Sequence, residues 1–401
     1  TLKCDVKGIF TMKNNNLQWV IASILVAYIS PSYAGISFGE SNSETGQLTV
    51  SGYVRGNYQV KDYGENADDQ KIRFDAAQLK LDYERGNLFG HAEYRCYQYE
   101  RFCDFSSMID AYAGYRLNKT DQLVVGMQAI PFGPGRFWGN SLYGSINTTA
   151  GLEDMHNVGV NYHAELSSAT KFDFGYFAID GGHYSGTYTP DSGRYTANYV
   201  RSDDVTQTNL QEKNMWVGRV SQDIPLGIDG LDTQLGASYW ISQIDNKKTN
   251  QTGRRNAWSV FTKVNYGLLG LTLTGGKNDV NNKDLIQPDT SLMGSYDTEY
   301  AVANKASYYT ADLGYAFKDV GKIGNITPFL MHSRYNKDQA EAKDSIRNIL
   351  GVSIDHKKLS LLAEYIMSKN DPFIGGNATS LALGDDNKWN KLLNLTLFYY
   401  F

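Results

Sequence analysis

The chain predicts an all-β fold, a transmembrane antiparallel β-barrel of about 16 strands, and three observations carry that expectation. Apolar and polar residues alternate with period two almost everywhere after Gln47, the signature of strands with two unlike faces. Beyond the first 34 residues no run of about 20 apolar residues supplies a membrane helix. The final strand alternates up to a terminal aromatic, Phe401. A barrel needs only every second residue to be apolar, so a chain that is polar on average can still enter a bilayer.

Taken from the start, Met12-Lys13-Asn14-Asn15-Asn16 precedes an apolar run from Trp19 to Ile29 and then Ser32-Tyr33-Ala34. A charged start, a short apolar stretch and small residues before a cut predict a secretory signal peptide cleaved after Ala34, with residues 1–11 an upstream extension. Residues 35–46 form a short leader, too short for a globular plug, and 47–401 the barrel. Removing residues 1–34 takes away Lys3, Lys7, Lys13 and Asp5, leaving 35 basic against 42 acidic side chains. That mildly acidic balance gives no support to a nucleic-acid partner.

In the first strand Leu48, Val50, Val54, Tyr58 and Val60 share one face and Thr49, Ser51, Arg55, Asn57 and Gln59 the other. Sixteen such strands are expected, at 47–60, 71–85, 87–100, 109–117, 120–130, 156–166, 169–180, 211–224, 231–244, 254–267, 268–279, 304–317, 323–336, 345–357, 358–369 and 388–401. Short turns alternate with longer polar segments at 61–70, 131–155, 181–210, 245–253, 280–303 and 370–387, which puts the long connections at one end. Near Ala76-Ala77 the apolar face changes parity, which requires a bulge or a later strand start. Pro328 also suits a strand start or a bulge better than a ladder position.

The end of the chain places Leu393, Leu395, Leu397, Tyr399 and Phe401 on one face. This resembles the closing strand of outer-membrane barrels, in which the pattern around Leu397, Tyr399 and Phe401 would act as an assembly signal for the barrel assembly machinery. Tyr83, Tyr94, Tyr115, Tyr162, Tyr176, Tyr239, Tyr266, Tyr315 and Tyr365 fall on expected outer faces, as aromatic girdles at the two lipid interfaces would require. Cys4 belongs to the discarded leader, and the remaining pair, Cys96 and Cys103, is a disulfide candidate in an oxidising compartment.

Residues 109–140, with Asp110 to Leu117 followed by Gly126-Met127-Gln128-Ala129-Ile130-Pro131-Phe132-Gly133, resemble the phosphate-selective porin O/P family of Gram-negative outer membranes. The resemblance implies a homotrimeric sixteen-stranded channel, set in outer-membrane lipid and lipopolysaccharide, whose third external loop (131–155) folds into the lumen. Arg136, Glu153 and Asp154 are the expected constriction residues, and one cation against two anions departs from the clustered donors that phosphate selection needs. Alternation puts Arg55, Glu93, Arg95, Asp110, Arg116, Arg219 and Lys263 on the pore lining, together with Asp173, Asp312 and Glu364.

The function expected is therefore passive diffusion of small polar or charged solutes, ions included, through the cell outer membrane. Two other classes compete. A structural, adhesin or phage-receptor barrel would use the Tyr- and Asn-rich segments 181–210 and 280–303. An outer-membrane hydrolase would need a nucleophile and base, but none of the six His stands in a Gly-x-Ser-x-Gly or His-Glu-x-x-His pattern. The chain is read as no enzyme, with no metal and no cofactor.

Overall fold

The computed structural model describes residues 35–64, 71–99, 101–166, 169–182 and 193–401, so the upstream extension and signal peptide expected over 1–34 lie outside the described residues. Sixteen long strands form the barrel: β1 Gln47–Lys61, β2 Lys71–Arg85, β3 Leu88–Tyr97, β4 Phe105–Arg116, β5 Gln122–Ala129, β6 His156–Glu165, β7 Thr170–Asp180, β8 Leu210–Asp223, β9 Leu231–Asn246, β10 Gln251–Tyr266, β11 Leu269–Asn281, β12 Lys305–Tyr315, β13 Gly324–Lys337, β14 Ser345–His356, β15 Leu359–Lys369 and β16 Asn390–Tyr400. Each is antiparallel to the next, and β16 pairs with β1 from Lys61↔Leu392 to Tyr53↔Tyr400, closing the cylinder. Closure leaves these sixteen strands without a free edge.

The lower part of the β1 edge, beyond the reach of β16, is not bare. Phe401 and Gly52 exchange both backbone bonds at 3.1 Å, and a short strand in the leader, Ile36–Gly39, pairs with Val50 to Gln47. The segment ahead of the barrel thus supplies a strand.

The parity change near Ala76 is a bulge. Arg55 faces Ala76 and Gly56 faces Phe74, so Asp75 is the extra residue. Pairing of β12 with β13 begins at Phe329, immediately after Pro328, and the short strand Phe317–Val320 meets β13 with a register break beside it. One expected loop is corrected: 245–253 is a tight connection, because β9 and β10 stay in register out to Asn246↔Gln251.

Outside, Leu235, Tyr239, Trp258, Val260, Leu273, Leu313, Leu330, Leu350 and Leu397 are exposed, part of an apolar surface that runs around the cylinder. Such a belt would be a liability in water and is what a hydrocarbon slab requires. Tyr115, Tyr266, Tyr315 and Tyr399 stand near the short turns, and Tyr94, Trp216, Tyr239 and Trp258 toward the long loops. Inside, a packed core joins strand residues such as Trp240, Ala257 and Tyr308 to loop residues such as Phe132, Trp138, Ile146 and Leu152.

Candidate functional site

Loop 131–155 runs into the lumen and is fastened to one half of the wall. Its only regular element is one turn of helix, Ile146–Thr149, capped by the Ser145 side chain accepting from the Asn147 N–H. Two inward arginines that are almost wholly buried hold the loop carbonyls. Arg347 of β14 donates through Nη1 to the oxygens of Tyr143, Gly144 and Ser145 at 3.1–3.2 Å and through Nη2 to Thr149 Oγ1 at 3.1 Å. Arg255 of β10 donates to the Gly151 oxygen at 2.8 Å. Carboxylates do the complementary work on loop donors: Glu364 accepts from Ser141 Oγ (2.6 Å) and the Leu142 N–H (3.0 Å), and Asp312 from the Asn140 N–H (3.0 Å). Hydrogen bonds of this charge-assisted kind each contribute about 1.5–3 kcal/mol, so the loop is a fixed part of the lumen.

These contacts correct part of the expected lining. Asp312 and Glu364 face inward as expected but are spent on the loop. Glu153 does not face a passage: it is 2% exposed and binds the Trp138 N–H (2.6 Å) and Ser145, because a buried carboxylate must find donors. Burial pushes its carboxyl above the usual range, against the pull of those donors. Arg116 pairs with Glu84 at 2.7 Å, both about half exposed, at the short-turn rim rather than deep in the lumen.

With the loop fixed to β9–β15, Arg136 reaches the opposite wall, β2–β6. Its Nε lies 2.6 Å from Asp154 Oδ1, and its Nη1 lies 3.5 Å from both Glu93 and Asp110. His156, at the start of β6, sits between Asp110 (2.7 Å) and Asp154 (2.8 Å). Arg95 is paired with Glu93 and donates to Tyr195 Oη at 3.0 Å; the Tyr195 hydroxyl in turn donates to Asp154. Gln78 donates to Glu93 at 2.7 Å. Above them Arg55 meets the bulged Asp75 at 2.5 Å, with Tyr53, Tyr97 and Phe398 ringing its guanidinium within 5.9 Å. Burial alone would raise the Asp154 carboxyl, but Arg136, His156 and Tyr195 together outweigh it and hold it down to about 2.

The side chains gathered here form a ladder of three arginines (Arg55, Arg95, Arg136) facing four carboxylates (Asp75, Glu93, Asp110, Asp154), with a histidine between two of the acids. Its charges nearly cancel. On the far side of the loop tip, Arg219 is bound to Asp173 at 2.8 Å, while the Lys263 Nζ reaches to 3.9 Å from the place a β-carbon would take on Gly135.

Three acceptors, on His91, Glu93 and Asp110, lie within 4.8 Å of one another, spacing that could hold a cation. Their other contacts occupy them: His91 Nδ1 is 2.6 Å from Asp82, Glu93 holds Arg95, and the Arg136 guanidinium already stands beside both acids. The cationic place is filled by the chain itself.

Cys96 and Cys103 are bonded to each other across the tip between β3 and β4. Sequence reasoning missed His156, Tyr195 and Asp75. Asp75 was visible as the polar residue at the parity change; Tyr195, from a loop far along the chain, left no local signal.

No family model matches the chain, and no curated protein matches it. Solved structures do. The outer membrane channel DcaP of Acinetobacter baumannii superposes with TM-score 0.59 at 13% identity, covering 92% of this chain and 100% of that one. OmpF of Salmonella typhi, in complex with daunomycin, gives 0.57 at 15%, covering 91% and 100%. An anion-selective porin from Comamonas acidovorans gives 0.51 at 12%, covering 89% and 100%. At such identities the likeness is one of fold: a sixteen-stranded antiparallel barrel.

Proposed function

We propose that this chain is a porin of the Gram-negative outer membrane, a passive channel for small polar solutes with weak ion selectivity. The observation that carries the reading is the constriction: a loop fixed inside the barrel presses one arginine, Arg136, against the Glu93, Asp110 and Asp154 carboxylates of the opposite wall. Opposed charges held in place across a narrow lumen order water and orient dipolar solutes without drawing in one sign of ion strongly. The apolar belt and its aromatic margins support the location, and the porins among the structural neighbours support the activity. A homotrimer, contacts with lipopolysaccharide and delivery by the barrel assembly machinery belong to the same reading.

Phosphate selection fits poorly, since Arg55, Arg95 and Arg136 are each engaged by a carboxylate. The adhesin reading loses its motive, because the described parts of segments 181–210 and 280–303 include stretches packed into the mouth. For a hydrolase, both ring nitrogens of the buried His156 face carboxylates, which leaves neither for a nucleophile. The purified protein in planar bilayers should give discrete conductance steps in potassium chloride with a permeability ratio near one. Absence of steps from folded protein overturns the reading.

A further inference from the structure

Between β11 and β12 the chain forms a hairpin, Thr290–Ser295 paired with Thr298–Ala303, every residue of whose first strand is buried. It is flanked on one side by Asn198–Tyr199, which pairs with Met293–Gly294, and on the other by the segment after β15, since the N–H groups of Ala301 and Ala303 donate to the oxygens of Ala378 and Leu381. Below, Tyr300 Oη donates to the Thr149 oxygen of the fixed loop at 3.0 Å.

The hairpin tip lies far from its root. Tyr296 packs among Tyr97, Phe105, Tyr195 and Phe373, with ring centroids 5.4–6.3 Å apart. Its carbonyl accepts from Tyr99 Oη at 3.2 Å, and its N–H donates to the Arg194 oxygen at 2.7 Å. Tyr97 ends β3, Phe105 begins β4 and Tyr99 lies in the connection between them, which the Cys96–Cys103 bond ties together. In a ring of sixteen strands the β3/β4 junction stands eight strands from the β11/β12 junction in either direction, directly opposite. Sixteen strands about 4.8 Å apart and tilted by about 40° enclose roughly 30 Å. Six extended residues cover roughly 20 Å of that, and the aromatic side chains bridge the remainder.

The turn itself carries a second sign. Tyr296 and Asp297 have φ of 49° and 61°, the left-handed pair of a two-residue hairpin turn. Asn-Gly fills such a turn at least cost, and a bulky aromatic at its first position is unfavourable. The ring is retained there against local preference, and Tyr97 and Phe105 of the opposite wall are among its contacts.

We propose that the hairpin Thr290–Ala303 is a bar across the long-loop mouth, and that Tyr296, seated in the disulfide-tied aromatic socket, sets the size of solute admitted to the constriction. The inference rests on the channel reading. The variant that tests it is Tyr296→Asn with Asp297→Gly, which removes the ring while giving the turn its preferred residues, so that the hairpin still forms. Measured in planar bilayers and by liposome swelling with glucose and raffinose, it should raise single-channel conductance about twofold and admit the trisaccharide relative to wild type. Restoring an aromatic with Tyr296→Phe should bring both readouts back. Equal steps and equal sugar rates in wild type and variant overturn the bar and leave the channel standing. No steps from either, with the barrel shown folded by heat-modifiable migration, overturn the channel reading and the bar with it.

Discussion

Replacing Arg136 by alanine tests the constriction most directly. The residue provides a positive charge facing Asp154, Glu93 and Asp110, and its removal leaves Arg95 on Glu93 and His156 between the two aspartates. Asp154 keeps its bonds from His156 and Tyr195 and so remains charged at neutral pH. A permeating ion passing about 5 Å from the uncovered charge in water feels about 0.8 kcal/mol, reduced to about 0.5 kcal/mol by screening at 0.1 M salt. Cations gain that amount and anions lose it, so the permeability ratio moves by about 1 kcal/mol, roughly fivefold toward cations. The assay is the reversal potential in a tenfold potassium chloride gradient, with Arg136→Lys as the control that keeps the charge and should keep the ratio. An unchanged reversal potential for Arg136→Ala would refute the placement of Arg136 at the narrowest point.

Other expectations follow from the same contacts. Arg347→Met strips four donor contacts from loop 131–155 and leaves the buried Asp371 without its cation; it should cost about 3–5 kcal/mol and appear as a lower thermal unfolding midpoint in detergent with noisier, larger channel steps. Asp154 has its carboxyl depressed in the folded chain, so its stabilising contribution is complete above about pH 4, the unfolded value, and is lost as pH falls toward 2. Conductance steps should therefore be uniform from pH 7 to about pH 4 and become heterogeneous below about pH 3, and uniform steps at pH 2 would contradict the role given to the Arg136–Asp154 pair. Deleting Phe401 removes two backbone bonds to Gly52 and should lower the fraction of folded, heat-modifiable barrel recovered on refolding.

The sequence made the barrel legible because its surroundings impose a local rule. Lipid outside and water inside force the choice at each position of a strand, so all sixteen strands could be placed and the bulge showed itself as a change of parity near Ala76-Ala77. The lumen obeys no such rule. Arg255 and Arg347 look like any inward charge on a strand, and only the folded loop reveals that they grip its carbonyls. Arg136 stood out as the single cation of its loop, but Glu153, one residue from Asp154, was indistinguishable from it by composition and turned the other way. The alternation in 290–303 was hidden by the longer polar segment around it, and its partners lie half a barrel away.

The short strand Ile36–Gly39 bears on how the barrel finds its own register. A closing strand that slipped by two residues would keep every side chain on its proper face, so alternation gives no protection against that error. The edge of β1 gives it: Gln47 to Val50 are taken by the leader and Gly52 by Phe401, which leaves only Ser51 between the two occupants. A last strand advanced by one more pair would have to evict the leader. The short strand ahead of the barrel therefore works as an end-stop, measuring where the final strand must halt.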